Sequence, residues 1–233
     1  LARYDAVLML NTTGPAFLPE GAKPDVEGDR GAKRDAELKE SLLAFVRSGK
    51  GLAGIHAATD TCYEWPAFGR MIGGFFLNHP WHERVRVKVE KPDHPLCAAF
   101  GGTDFEITDE IYQFKAPYSR RQLRVLLSLD RAKTPSKGQR PDDDYAISWV
   151  RYEGKGRVFY CSLGHREEIY WNAPVLRHYL DGLRFALGDL PGDATPSTAG
   201  APRASGRSAR SGRAAWRRGP SSRSASGSSA WAS

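Results

Sequence analysis

Cysteine is scarce in this chain, with three in 233 residues: Cys62, Cys97 and Cys161. An odd count with no metal-like or disulfide-like spacing fits reduced thiols better than a disulfide framework. No apolar stretch approaches the roughly 18 residues of a transmembrane helix, and no signal peptide is visible. The chain opens at Leu1 rather than at a methionine, so a missing front end is expected and the compartment stays open, with the cytoplasm favoured over a secreted or periplasmic location. Compact metal motifs such as His-Glu-x-x-His are also lacking. So is a basic surface on the main part of the chain. The net charge is +7, but seven arginines against one aspartate from Pro191 onward supply +6 of it. Residues 1–190 are nearly neutral, which gives no reason to expect a specific nucleic-acid partner.

From about Asp189 the composition is Arg, Ser, Ala, Gly and Pro with almost no aliphatic residues. Such a segment cannot offset its ordering entropy by burial and is expected to be disordered over 189–233. Two readings of it stay open, an RNA- or membrane-binding arm and a solvated extension without a specific partner.

What remains, 1–188, has the size of one α/β domain. The run Tyr4–Leu10 reads as a buried strand, about Arg34 to Arg47 as a helix with one apolar stripe, and Gly51–Ile55 as a second buried strand. That order is a βαβ unit, which implies a parallel sheet. Further strands are expected over Val85–Val89, Leu123–Leu129, Ala146–Tyr152 and Arg157–Leu163, with Phe105–Phe114 ambiguous. A last helix over Pro174–Leu187 stops at Gly188.

The chemistry-bearing residues gather at expected strand ends and loops: His56, His79, His82 and His165, with the acids Asp109 and Glu110. A metal or acid–base site needs groups from several strand ends, because one short segment cannot supply all the directions of a coordination sphere. Imidazole suits zinc, copper, iron and nickel. Each histidine alone is more often a hydrogen-bonded loop residue than a ligand, and His94 and His178 are read as structural. Tyr63, Trp65, Phe76, Trp81, Tyr112 and Trp171 crowd the same regions and could stack on sugar rings, or simply pack.

The strings Gly54-Ile-His56-Ala-Ala-Thr-Asp60, Tyr63-Glu-Trp-Pro66, Ile72-Gly-Gly-Phe75, His79-Pro-Trp-His82, Asp93-His-Pro95, Thr108-Asp-Glu-Ile-Tyr112, Gly154-Lys-Gly-Arg-Val-Phe-Tyr160 and Leu163-Gly-His165 occur in this order. Together they resemble the ThuA-like family, named for trehalose utilisation, over about Leu1 to Gly188. The resemblance implies a class I glutamine amidotransferase-like fold, that is, an α/β flavodoxin-like three-layer α/β/α sandwich around a mostly parallel central sheet. Members normally begin with a further strand and helix, so an N-terminal strand-helix unit is expected to be missing, with a cost in stability. True amidotransferases place a cysteine at the strand-to-helix elbow. By resemblance His56 stands at that elbow and His165 in the place of the triad histidine, which argues against thioester chemistry on glutamine.

The resemblance further implies bacterial sugar metabolism, with trehalose or related disaccharides passing through 3-keto intermediates. In that reading His56, His165 and Glu110 are catalytic, His56, His82 and His165 hold a divalent metal such as zinc, and Asp60, Trp65, Trp81 and Tyr112 bind the sugar. The activity would be isomerisation or cleavage of a keto-sugar. The alternative is a non-catalytic carbohydrate-binding module on the same scaffold. The partner expected is a small sugar, and a homo-oligomer stays open.

Overall fold

Gly51-Leu-Ala-Gly-Ile55 is apolar at every position, and all five residues are buried, as expected of a strand covered on both faces. It is β2 of the computed structural model, which describes residues 1–23, 26–135 and 137–196. The part of the expected tail from 197 onward lies outside the described residues. Its first residues do not stand apart: Leu190 packs on the core and Ala194 is buried.

Among the described residues the elements run β1 (Ala6–Leu10), α1 (Arg30–Arg47), β2 (Gly51–Ile55), α2 (Pro66–Ile72), β3 (Phe75–Val89), β4 (Phe105–Lys115), β5 (Arg124–Leu129), β6 (Ala146–Glu153), β7 (Gly156–Cys161) and α3 (Ala173–Leu187), with short 3-10 turns between some of them. α1 begins at Asp29, whose carboxylate accepts from the Ala32 amide at 2.8 Å, an ordinary N-cap. α3 ends at Gly188 in the left-handed conformation, where a residue without Cβ is favoured.

Alternation along β7 divides the core. Val158 and Tyr160 join α1 and α2 through Leu42, Val46, Phe68 and Ile72, whereas Phe159 and Cys161 join α3 through Val175 and Phe185. The approach is close at Gly182 of α3, where a Cβ would stand 2.3 Å from the Phe159 ring.

The sheet corrects the expected architecture. Its strand order is β1-β2-β7-β6-β5-β3-β4, and only β1–β2 and β2–β7 are parallel. The pairings β7–β6, β6–β5, β5–β3 and β3–β4 are antiparallel. This is a mixed, curled half-barrel, not a mostly parallel flavodoxin-like sandwich. Connection length is one reason: Glu153 pairs with Gly156 across a two-residue turn, and parallel strands need a crossover of a dozen residues or more. The single βαβ unit at the start of the chain is real, but it does not extend to the rest.

Curl is required by one contact. β2 and β4 stand five positions apart in the sheet, about 24 Å in a flat sheet at the usual strand spacing. Yet the Tyr112 hydroxyl on β4 lies 2.9 Å from His56 at the end of β2. Two side chains cannot span that width, so the β4 edge bends back toward the carboxyl ends of β2 and β7.

β1 occupies the other edge, with Leu8 and Leu10 exposed. Among the described residues no helix is long and apolar enough to cross a membrane.

Candidate functional site

His56 follows β2 directly and opens a 3-10 turn, not an α-helix. Its φ is +50°, a left-handed conformation that costs a residue with a Cβ roughly 1–2 kcal/mol. Two hydrogen bonds fix the buried ring. Nδ1 lies 2.7 Å from the Ser162 carbonyl oxygen, which can only accept, so Nδ1 carries the proton. Nε2 is then the bare nitrogen and accepts from Tyr112 Oη at 2.9 Å. Burial lowers the His56 pKa, opposed by the Ser162 carbonyl and the charges of Asp109 and Glu110. The ring is neutral at neutral pH.

Glu110 is the hub of the cluster. Its Oε2 is 3.2 Å from His165 Nδ1 and 3.7 Å from His56 Nε2, while Oε1 is 3.6 Å from His79 Nε2 and 3.8 Å from His82 Nδ1. The carboxylate is buried, whereas the side chains of His79, His82 and His165 are 45%, 42% and 45% exposed. The cluster therefore has a buried floor and an open side. His56, Glu110 and His165 offer ligand atoms within 4.8 Å of one another.

His79 and His82 are not in a loop but within β3, and their convergence has a local cause. Residues three apart on a regular strand point to opposite faces. Between Asn78 and Trp81 the register slips, because Asn78 pairs with Gln113 and Trp81 with Ile111. Three steps on β3 match two on β4. The extra residue is a bulge, which re-aims the chain and puts both imidazoles on Glu110. Pro80 sits inside it, where a missing N–H costs no regular ladder bond.

His165 is held from below by Asp109. That fully buried carboxylate accepts from the backbone amides of Gly164 at 2.7 Å and Arg166 at 3.0 Å. Tyr170 Oη donates to the Gly164 carbonyl at 3.0 Å and accepts from Asn11 Nδ2 at 3.1 Å. Ser162, Tyr170 and Asn11 carry no sequence signal as site residues; their roles depend on which loops meet.

The expected sugar-binding residues separate. Tyr112 is in the cluster, and burial raises its pKa, reinforced by Glu110, Asp60 and Asp109. Asp60 accepts from Tyr63 Oη at 2.5 Å on the rim. Trp65 stacks on Phe68 and meets Phe17 edge-on, half-buried against the α2 side of the core. Trp81 is fully buried, donates from Nε1 to the Pro135 carbonyl at 3.0 Å and meets Tyr145 edge-on. It offers no face to a ligand. Phe76 stands beside the cluster, its ring 4.4 Å from that of Tyr112 and stacked on His79 at 6.1 Å. The three thiols are buried, and burial pushes Cys62 up to about 11 and Cys97 and Cys161 up to about 12. They are poor nucleophiles.

The fold and the cluster together define an α/β domain with a histidine–carboxylate site at the ends of β2 and β7, facing the edge hairpin β3–β4. A family model described as trehalose utilisation matches residues 1–186, and the chain belongs to this ThuA family. It is similar to the crystal structure of a ThuA-like protein from Bacteroides uniformis, at 25% identity over 78% of this chain and 69% of that one, with a TM-score of 0.57. A ThuA-like protein from Parabacteroides merdae shares 16% identity over 82% of this chain and 74% of that one, also with a TM-score of 0.57. No functionally curated protein matches the chain.

Proposed function

We propose that this ThuA-family chain is an enzyme of carbohydrate metabolism that isomerises or cleaves a keto-sugar derived from trehalose or a related disaccharide, with a divalent cation, zinc or similar, in the histidine–glutamate cluster. The observation that carries the reading is Glu110, a buried carboxylate with ring nitrogens of four histidines within 3.8 Å. Ligands sharing one tetrahedral cation at bond lengths of 2.0–2.2 Å stand about 3.4 Å apart. The separations of 3.2 and 3.7 Å from Glu110 to His165 and His56 bracket that value. His56, Glu110 and His165 would hold the ion, with His82, whose Nδ1 lies 3.8 Å from Glu110, a further candidate ligand. A bound cation would polarise the sugar carbonyl as a Lewis acid.

The chain's own groups do the rest. The proton on a carbon next to a ketone is acidic, and an imidazole at the mouth of the cluster can take it. His82 and His79, half-exposed and backed by Glu110, stand where a substrate would enter. The Ser162 carbonyl holds His56 in the tautomer with Nε2 unprotonated. Phe76 supplies an apolar wall.

The test is metal content and turnover measured together. Protein loaded with zinc or manganese and dialysed is expected to retain close to one ion per chain, and Glu110→Gln to lose at least about tenfold in affinity, as removal of a charged ligand should. Turnover of a 3-keto disaccharide is expected in the wild type and not in Glu110→Gln. No retained ion would sink the metal part of the reading. Sugar affinity without any turnover would sink the enzyme part and leave a carbohydrate-binding module.

A further inference from the structure

Beside the cluster a groove of about 450 Å³ opens between β4 and the segment that follows β7, lined by Arg84, Glu106, Thr108, Arg166, Glu168 and Ile169 among others. We propose that it is the subsite for the second ring of a neutral, unphosphorylated two-ring sugar whose first ring sits at the Glu110 cluster. This inference rests on the sugar-processing reading above.

Continuity is the first argument. His82 pairs with Glu110 and Arg84 with Thr108, in unbroken register. Thr108 and Glu110 thus stand on one face of β4, about 7 Å apart along the strand, a spacing comparable to one pyranose ring. The opposite wall is continuous too, since Arg166 follows His165 and the amides of Gly164 and Arg166 share the Asp109 carboxylate. Both walls of the groove are thus extensions of the two elements that carry Glu110 and His165.

The lining chemistry is the second. Arg84 pairs with Glu106, and Arg166 with Glu168 at 3.2 Å. Each pair sets a planar donor beside a planar acceptor. Neighbouring sugar hydroxyls, which both donate and accept, match that arrangement. These pairs are solvent-exposed, with side chains 39–74% accessible, so opening one to admit a hydroxyl costs little. Ile107 and Ile169 lie at the floor of the groove but belong to the buried core, 7% and 2% exposed, so the two ion pairs and Thr108 carry the recognition. Two arginines against two glutamates leave the named lining without net charge. A phosphate would meet both carboxylates as well as both guanidiniums, so the groove favours a neutral ligand.

Calorimetric titration with trehalose, glucose and trehalose 6-phosphate tests the assignment in the full chain. Wild type is expected to bind trehalose about tenfold or more tighter than glucose, the scale of one or two extra charged hydrogen bonds, and no less tightly than the phosphate ester. The double variant Arg84→Ala/Arg166→Ala and the blocking variant Thr108→Trp, each confirmed folded by its melting curve, should lose that preference while glucose affinity stays within about twofold. Unchanged trehalose preference in both variants, or tighter binding of the phosphate ester, would overturn the subsite while leaving the sugar reading intact. Wild type that binds neither neutral sugar would overturn both.

Discussion

His56 is gripped by hydrogen bonds of opposite sense. Nδ1–H donates to the Ser162 carbonyl and Nε2 accepts from Tyr112 Oη. The lone pair on Nε2 is the one a metal would use, so in the proposed site Tyr112 and a cation compete for it. Tyr112→Phe removes the competitor without removing the ring. A neutral hydrogen bond is worth about 0.5–1.5 kcal/mol net, so the variant is expected to bind zinc up to about tenfold tighter than wild type in a chelator competition. Unchanged or weaker zinc binding would mean that Tyr112 supports the cation site rather than competing with it. The sequence marks both residues, but not their bond. The family resemblance points Tyr112 at the sugar, and five strand positions separate it from His56.

At the level of elements, the β3 bulge and helix α3 carry opposite lessons. Strand alternation sends Trp81 into the core while the bulge brings His79 and His82 together, so the compact string His79-Pro-Trp-His82 splits into two site residues and one core residue. His178, read as structural, lies in α3, fully buried. Its Nδ1 donates to the Leu96 carbonyl at 2.6 Å and its Nε2 faces Ser148 Oγ at 2.8 Å. Burial lowers its pKa from 6.5 to about 4, only partly offset by the Leu96 carbonyl and Asp181. Below pH 6.5 the unfolded chain takes up a proton that the folded ring resists, so protons favour unfolding. Stability from this group is complete above about pH 6.5 and is lost as pH falls toward 4, by about 3 kcal/mol in all. Urea midpoints between pH 7 and 4 should fall less steeply in His178→Gln than in wild type. Equal slopes would show that the acid sensitivity lies elsewhere, with His56 and His94, also lowered by burial, the next groups to examine.

Over the whole molecule the decisive event is closure of the curled sheet onto the loop after β7. Asp109 is the clasp: a β4 carboxylate that takes two backbone amides from residues 164–166. Asp109→Ala would strand both N–H groups, and bonds to a charged acceptor are worth about 1.5–3 kcal/mol each. The variant is expected to lose roughly 3 kcal/mol in urea unfolding and, more specifically, hydrogen-exchange protection at the Gly164 and Arg166 amides. Stability loss with those two amides still protected would place the role of Asp109 in the core rather than in the loop.

Much of this molecule is legible in its amino-acid sequence. The buried strand Gly51–Ile55, helix α3 with its Gly188 stop, the family and the candidacy of His56, Glu110 and His165, which the structure brings together, follow from local composition, small-residue turns and the order of the motifs. These depend on short-range chemistry that a linear string records. The mostly parallel sandwich, implied by the resemblance and in keeping with the one βαβ unit, is wrong, because strand direction beyond that unit depends on how each connection folds back. Only the tertiary structure decided the curl of the sheet, the bulge that re-aims two histidines and the Asp109 clasp. Each depends on pairing register between residues far apart in the chain, and a one-residue slip in register changes which face a side chain occupies.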